Sequence, residues 1–180
     1  MSGTQFPSFY AGLRLTATLL GATVPIMAVK GSATPRTSTT TLADDPDLSG
    51  IALAVGTYEI EFVGNWVQLT TTTQKIKTRW AFTGTWNGSA APRSCIGAGS
   101  AQTGTTTAVT DVTMQAVSLS GNDVVYSQAA GTSYGCFRET CGNVVVSSAG
   151  NFSIQWAQNT SSANSTNLQE GSYVRITQIA

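Results

Sequence analysis

The chain has 180 residues, no net charge and 41% hydrophobic residues, enough for one medium domain with a real core and too apolar for wholesale disorder. Nine basic residues against nine acidic ones supply neither the basic face that nucleic acid needs nor a Lys/Arg cluster for a membrane surface. With only 10% charged residues the chain relies on neutral hydroxyls and amides for solubility; Thr takes 28 positions, and its β-branched side chain favours strands.

Residues 1–25 differ from the rest. Leu13, Leu15, Leu19 and Leu20, with Ala11 and Ala17, fit a short amphipathic helix that Gly21 stops. A helix this short needs a surface to lie on, which its own domain or a neighbour could supply. The neighbour is favoured, because the downstream segment reads as a self-sufficient β-domain. Phe9, Tyr10, Leu13, Leu15, Leu19 and Leu20 are then the anchoring side chains of an N-terminal arm. From Leu13 to Val29 the chain is fairly apolar, but Arg14, Thr16, Thr18, Gly21, Thr23 and Pro25 make it too short and polar to span a bilayer. No basic segment precedes it, so folding in a cytosol is expected rather than export.

Residues 26–180 read as a β-sandwich domain. Ile26 to Val29 is a short apolar run, and Arg36 to Leu42 a hydroxyl-rich β-branched stretch, closed by the turn signal Asp44-Asp45-Pro46-Asp47. From Gly56 to Val63, Tyr58, Ile60 and Phe62 alternate with Thr57, Glu59 and Glu61, the pattern of a half-buried strand. From Lys75 to Phe82, Ile76, Thr78, Trp80 and Phe82 share one face, while Lys75, Lys77 and Arg79 share the other. The opposite outer charges of these two segments suit neighbouring strands. Further strands are expected within Thr107 to Val117, Asp123 to Gln128, Gly142 to Ser147, Asn151 to Asn159 (Phe152, Ile154 and Trp156 inward) and Ser172 to Ile179. About eight to ten short strands with Gly/Asn turns mean a sandwich or jelly roll, and no internal repeat suggests a propeller or solenoid.

The sequence contains no His, so general acid–base chemistry would fall to carboxylates, Lys, Tyr or Cys. Nothing marks two carboxylates in a shared aromatic cleft, and a non-enzymatic chain without cofactor is expected. Asp44, Asp45 and Asp47 could gather calcium, but they lack the D-x-D-x-D-G frame and Pro46 favours a turn. Cys136 and Cys141, spaced C-x4-C, could bridge the limbs of a hairpin loop or remain two reduced thiols beside a turn. Zinc would need more Cys or His ligands than the chain offers. Among the four tryptophans, Trp80 and Trp156 fall on core faces, while Trp66 and Trp86 sit near loops and could stack on a sugar. Asn-x-Ser/Thr sequons at Asn87, Asn151, Asn159 and Asn164 are matches that so Thr/Asn-rich a chain produces by chance.

The run Phe9-Tyr10-Ala11-Gly12-Leu13-Arg14-Leu15-Thr16-Ala17-Thr18-Leu19-Leu20 resembles the opening helix of small structural proteins of bacteriophages infecting actinobacteria. Thr37 to Leu42, Asp45-Pro46-Asp47-Leu48, Ala54 to Glu61, Asn164 to Leu168 and Gly171 to Ile176 follow in the order such proteins show. The resemblance covers both ends and the second quarter and leaves roughly residues 65 to 140 uncovered. It implies a virion protein assembled in the host bacterial cytoplasm, with a jelly roll similar to the trimeric tumour-necrosis-factor and complement-head folds. The partners it implies are two further copies of the chain and the major capsid protein or other virion proteins. A capsid decoration protein is the leading expectation; the alternative is a tail-fibre module that recognises host-surface carbohydrate through Trp66 and Trp86.

Overall fold

A computed structural model of the protein describes residues 24–68, 75–88, 91–98, 112–119, 121–127 and 135–180, with Gly12, Arg14 and Thr16. The proposed anchoring residues Phe9, Tyr10, Leu13, Leu15, Leu19 and Leu20 lie outside the described residues. Among the described residues there are fourteen strands and no helix. Numbered in chain order, six form the backbone of the larger sheet: β1 (Ile26–Val29), β14 (Tyr173–Gln178), β5 (Gly56–Gln68), β11 (Gly135–Ser148), β8 (Pro92–Ala98) and β9 (Val112–Ser118), in that spatial order. The short β13 (Thr166–Leu168) continues beside β5 and carries β2 (Thr34–Arg36), while β7 (Thr85–Trp86) pairs with β11. The smaller sheet runs β10 (Val124–Tyr126), β6 (Ile76–Phe82), β12 (Gly150–Gln158), β3 (Ala43–Asp44), and β4 (Ile51–Leu53) also pairs with β12. Every pairing is antiparallel.

The two sheets face each other because each strand carries one apolar row. Tyr58, Ile60, Phe62 and Trp66 of β5, Ile76 and Trp80 of β6, and Phe152, Ile154 and Trp156 of β12 are all buried in a single cluster, as their alternation requires. Rings interlock within and across the layers. Phe62 meets Phe137 edge-on at 5.2 Å, Trp80 meets Phe152 at 5.5 Å, and Tyr126 of the small sheet stacks on Phe137 of the large one at 4.2 Å. Each aromatic side chain so buried contributes about 1.5–3 kcal/mol relative to exposure. Gly64 leaves room for the Phe137 ring, from which a Cβ would lie 2.2 Å, and Gly97 for its stack with Tyr126, since a Cβ there would lie 2.6 Å from the Tyr126 ring.

Four local expectations differ from what forms. The segment expected as a strand from Arg36 to Leu42 is broken. Strand pairing stops at Arg36, Ser38 takes a positive φ of 52° and bonds to Ser162 O, and pairing resumes only at Ala43. A non-glycine residue in the left-handed region ends a ladder, whatever the β propensity of its neighbours. The strand begun at Gly56 continues through Trp66 to Gln68, well past Val63. The hairpin imagined around Cys136 and Cys141 is one continuous strand, β11, of fourteen residues. A register shift between Cys141 and Val144 turns its apolar row, so Phe137 and Cys141 before it and Val144 and Val146 after it all point inward. Finally, β5 and β6 lie in different sheets, so Glu59 and Glu61 do not face Lys75, Lys77 and Arg79. Lys77 and Arg79 pair instead with Asp123, at 3.8 and 2.6 Å.

Candidate interaction surface

The outer face of the larger sheet is built from the residues that alternate with the core rows. On β5 and β11 these include Glu59, Glu61, Arg138 and Thr140, on β8 Ser94 and Ile96, and on β9 Met114 and Ala116. Direct opposition of Ile96 with Met114, and of Arg138 with Ile96, follows from the register. Together Glu59, Ser94, Ile96, Met114, Arg138 and Thr140 line a shallow groove of about 550 Å³. Met114 is 78% exposed and Ile96 45%, a costly way to place a thioether and a branched aliphatic chain unless something covers them.

Charges on this face cancel locally. Glu61 accepts Arg138 Nε at 2.5 Å and faces Arg175 Nη2 at 2.9 Å, a triad across β11, β5 and β14. Its carboxylate is nearly covered by the two guanidinium groups, so Glu61 is not the solvated carboxylate expected from alternation. The triad carries a net charge of +1, which Glu59 on the same face balances. At the opposite edge of the same sheet, β1 presents Ile26, Met27 and Val29, preceded by Val24, all exposed and with no charged residue among them. Val55, Val145 and Ile179 form a third exposed apolar group around the start of β5.

The two tryptophans expected as sugar platforms are placed otherwise. Trp66 is fully buried on β5, against Gly135, whose α-carbon approaches so closely that a Cβ would meet the indole at 2.3 Å. Trp86 on β7 is half-buried, with Phe82 stacked on it at 5.2 Å and Phe152 edge-on at 6.2 Å. The residues they oppose on β11, Gly135 and Val146, are far apart along that strand, roughly 35 Å at strand rise, so the two rings do not form one stacking platform. Gly64 interrupts the apolar row that Tyr58, Ile60 and Phe62 begin, which conceals the burial of Trp66 in the sequence.

Cys136 and Cys141 are not bridged. Five residues apart on one extended strand, they point to opposite faces, Cys136 outward and Cys141 into the core. Two charged clusters were missed. Inside the sandwich, Glu139 accepts hydrogen bonds from Tyr126 Oη at 2.9 Å and from Thr78 Oγ1, and Arg93 Nη1 lies 3.2 Å from its other oxygen. That last contact is coulombic, since neither atom reaches hydrogen-bond geometry, and Arg93 also leans over the Trp80 ring at 5.3 Å. Cys95 lies beside this group, and burial first, then the Glu139 charge, push its thiol up to about 11. Alternation of Phe137, Glu139 and Cys141 carries the signal, but the polar and charged run Arg138-Glu139-Thr140 masks it in the sequence. In the second cluster, the Lys30 ammonium lies 2.9 Å from Asp45 Oδ2 and 3.3 Å from Asp47 Oδ2.

Each element of this surface is thus defined by its own side chains, and comparison of the sequence with protein-family models and with curated proteins finds no match to either.

Proposed function

We propose that the chain is a structural subunit of a bacteriophage particle, a jelly-roll decoration protein that assembles as a homotrimer on the outer capsid surface. The observation that carries this reading is the placement of exposed apolar side chains at two opposite edges of the larger sheet. Val24, Ile26, Met27 and Val29 stand on the β1 edge, and Ile96 and Met114 on the β8–β9 edge. Two different patches on one subunit make a heterologous contact, and a heterologous contact that closes forms a ring such as a trimer. Low charge content supports the same reading, because charge is depleted at the centres of subunit interfaces. The two facing antiparallel sheets suit a jelly roll. Residues 1–25 serve as the capsid-docking arm in this scheme.

Sedimentation of the isolated protein is expected to give a trimer; a stable monomer at micromolar concentration would refute the ring. A labelled antibody on intact particles is expected to mark the head, and labelling confined to the tail tip would favour the receptor-binding alternative. Removal of residues 1–25 is expected to abolish incorporation into particles. The sugar-binding alternative is weakened by Trp66 in the core and by Phe82 against Trp86.

A further inference from the structure

Lys30 directly follows β1 and is held by its backbone to the turn before β14, with N donating to Ser172 O at 2.8 Å and O accepting from Gly171 N at 3.0 Å. Its side chain is thereby directed inward, where Nζ lies 3.0 Å from Asp45 Oδ1 and 2.9 Å from Oδ2. Neither side chain has any exposed surface. A buried ion pair in isolation is a poor source of stability, because the desolvation of two charges offsets their attraction.

This pair has more around it than an ion pair requires. Trp156 Nε1 donates to Asp45 Oδ2 at 3.0 Å, and the backbone N of Asp47 donates to Oδ1 at 3.1 Å. Asp47 Oδ2 approaches Nζ at 3.3 Å from the half-exposed side, and Thr34 Oγ1 accepts from the same nitrogen at 2.5 Å. A nucleophilic nitrogen, a carboxyl carbon, two fixed N–H donors and a second carboxylate therefore converge in a water-poor site.

The geometry points to an autocatalytic isopeptide bond between Lys30 Nζ and Asp45 Cγ. With Nζ nearly equidistant from both oxygens, Cγ lies at most roughly 3.4 Å away, within the range of a near-attack contact. Asp47 takes one proton from the ammonium and frees the amine lone pair. The Asp45 carboxyl plane turns about Cβ–Cγ, and Nζ adds to Cγ. Trp156 Nε1 holds Oδ2 and the backbone N of Asp47 holds Oδ1, so each N–H stabilises one of the two oxygens that carry negative charge in the tetrahedral intermediate. Asp47 then delivers its proton to the departing oxygen. That oxygen leaves as water together with a second nitrogen proton, as the C–O bond breaks and the amide forms. The balance is one ammonium and one carboxylate giving one amide and one water, with Asp47 returned unchanged and no other reactant consumed. The product ties the end of β1 to the segment before β4, and closes it covalently against the Trp156 indole.

Mass measurement of the folded, purified full-length chain tests this. The unfolded and reduced sample is expected to weigh about 18 Da less than its sequence requires, the loss of one water on covalent closure. Tryptic peptides 15–36 and 37–75 are expected as one branched species, because Lys30 is then no longer a cleavage site. Lys30→Arg keeps a cation against Asp45 but cannot form the amide, and should show full mass. Asp47→Asn retains the half-exposed position and the backbone donor, so a folded variant of full mass is expected. Full mass in the folded parent chain overturns the inference, as does a water loss that maps to other residues. An Asp47→Asn protein linked as completely as the parent overturns the assigned proton relay.

Discussion

Arg93 Nη1 stands 3.2 Å from Glu139 Oε2 with both side chains wholly enclosed by the sandwich. Tyr126 and Thr78 hold the other carboxylate oxygen, so two strands of the small sheet are tied through a charge to β11 and β8 of the large one. The Glu139→Ala chain would keep an uncompensated guanidinium among aromatic rings. Its expected cost is about 3–5 kcal/mol, measured by guanidinium denaturation. Replacing both partners, Arg93→Met with Glu139→Leu, is expected to recover most of that loss. A single substitution costing under about 1 kcal/mol would mean that Glu139 does not tie the two sheets together as described.

Cys95 gives the fold an alkaline limit. Burial and the Glu139 charge keep its thiol protonated up to about 11 in the folded chain, against an ordinary value of 9.0. Above pH 9 the unfolded thiol ionises while the folded one does not, so the folded state binds more protons and stability falls as pH rises. Tyr126 is raised by the same causes and steepens the loss above its ordinary 10.0. Denaturation midpoints taken from pH 8 to 11 should decline, with roughly 2 kcal/mol of the loss due to the thiol. Cys95→Ala should flatten the part between pH 9 and 10; an unchanged slope there would assign the effect elsewhere.

Trp66 and Trp86 are separated by one substitution each. Trp66→Ala opens a cavity beside Gly135 and is expected to cost about 3–5 kcal/mol in thermal or chemical unfolding. Trp86→Ala removes a half-buried ring from Phe82 and should cost less. Equal costs would contradict the difference in burial.

Met114→Glu places a charge on the outer face opposite Ile96, without touching the core. The change is expected to leave the unfolding midpoint within about 0.5 kcal/mol while shifting sedimentation from trimer to monomer. Retention of the trimer would exclude this groove from the subunit contact.

Alternation made β5, β6 and β12 readable, because a strand with one buried face carries a period of two in its own residues. Tyr58, Ile60, Phe62, Trp80, Phe152, Ile154 and Trp156 were all legible as core on that basis, and all are buried. What the alternation of one segment does not contain is its neighbour. Glu61 meets Arg138 and Arg175 rather than Lys77, and Lys30 meets Asp45 across an intervening loop, through contacts that exist only once distant strands are in register. The bulge after Cys141 and the positive φ at Ser38 likewise depend on partners elsewhere in the chain. Composition and periodicity determined an all-β chain with a defined inward row on each clear strand. Tertiary structure decided which charges are buried together, whether Trp66 faces water and which edges stay open, because pairing and burial are set between segments rather than within them.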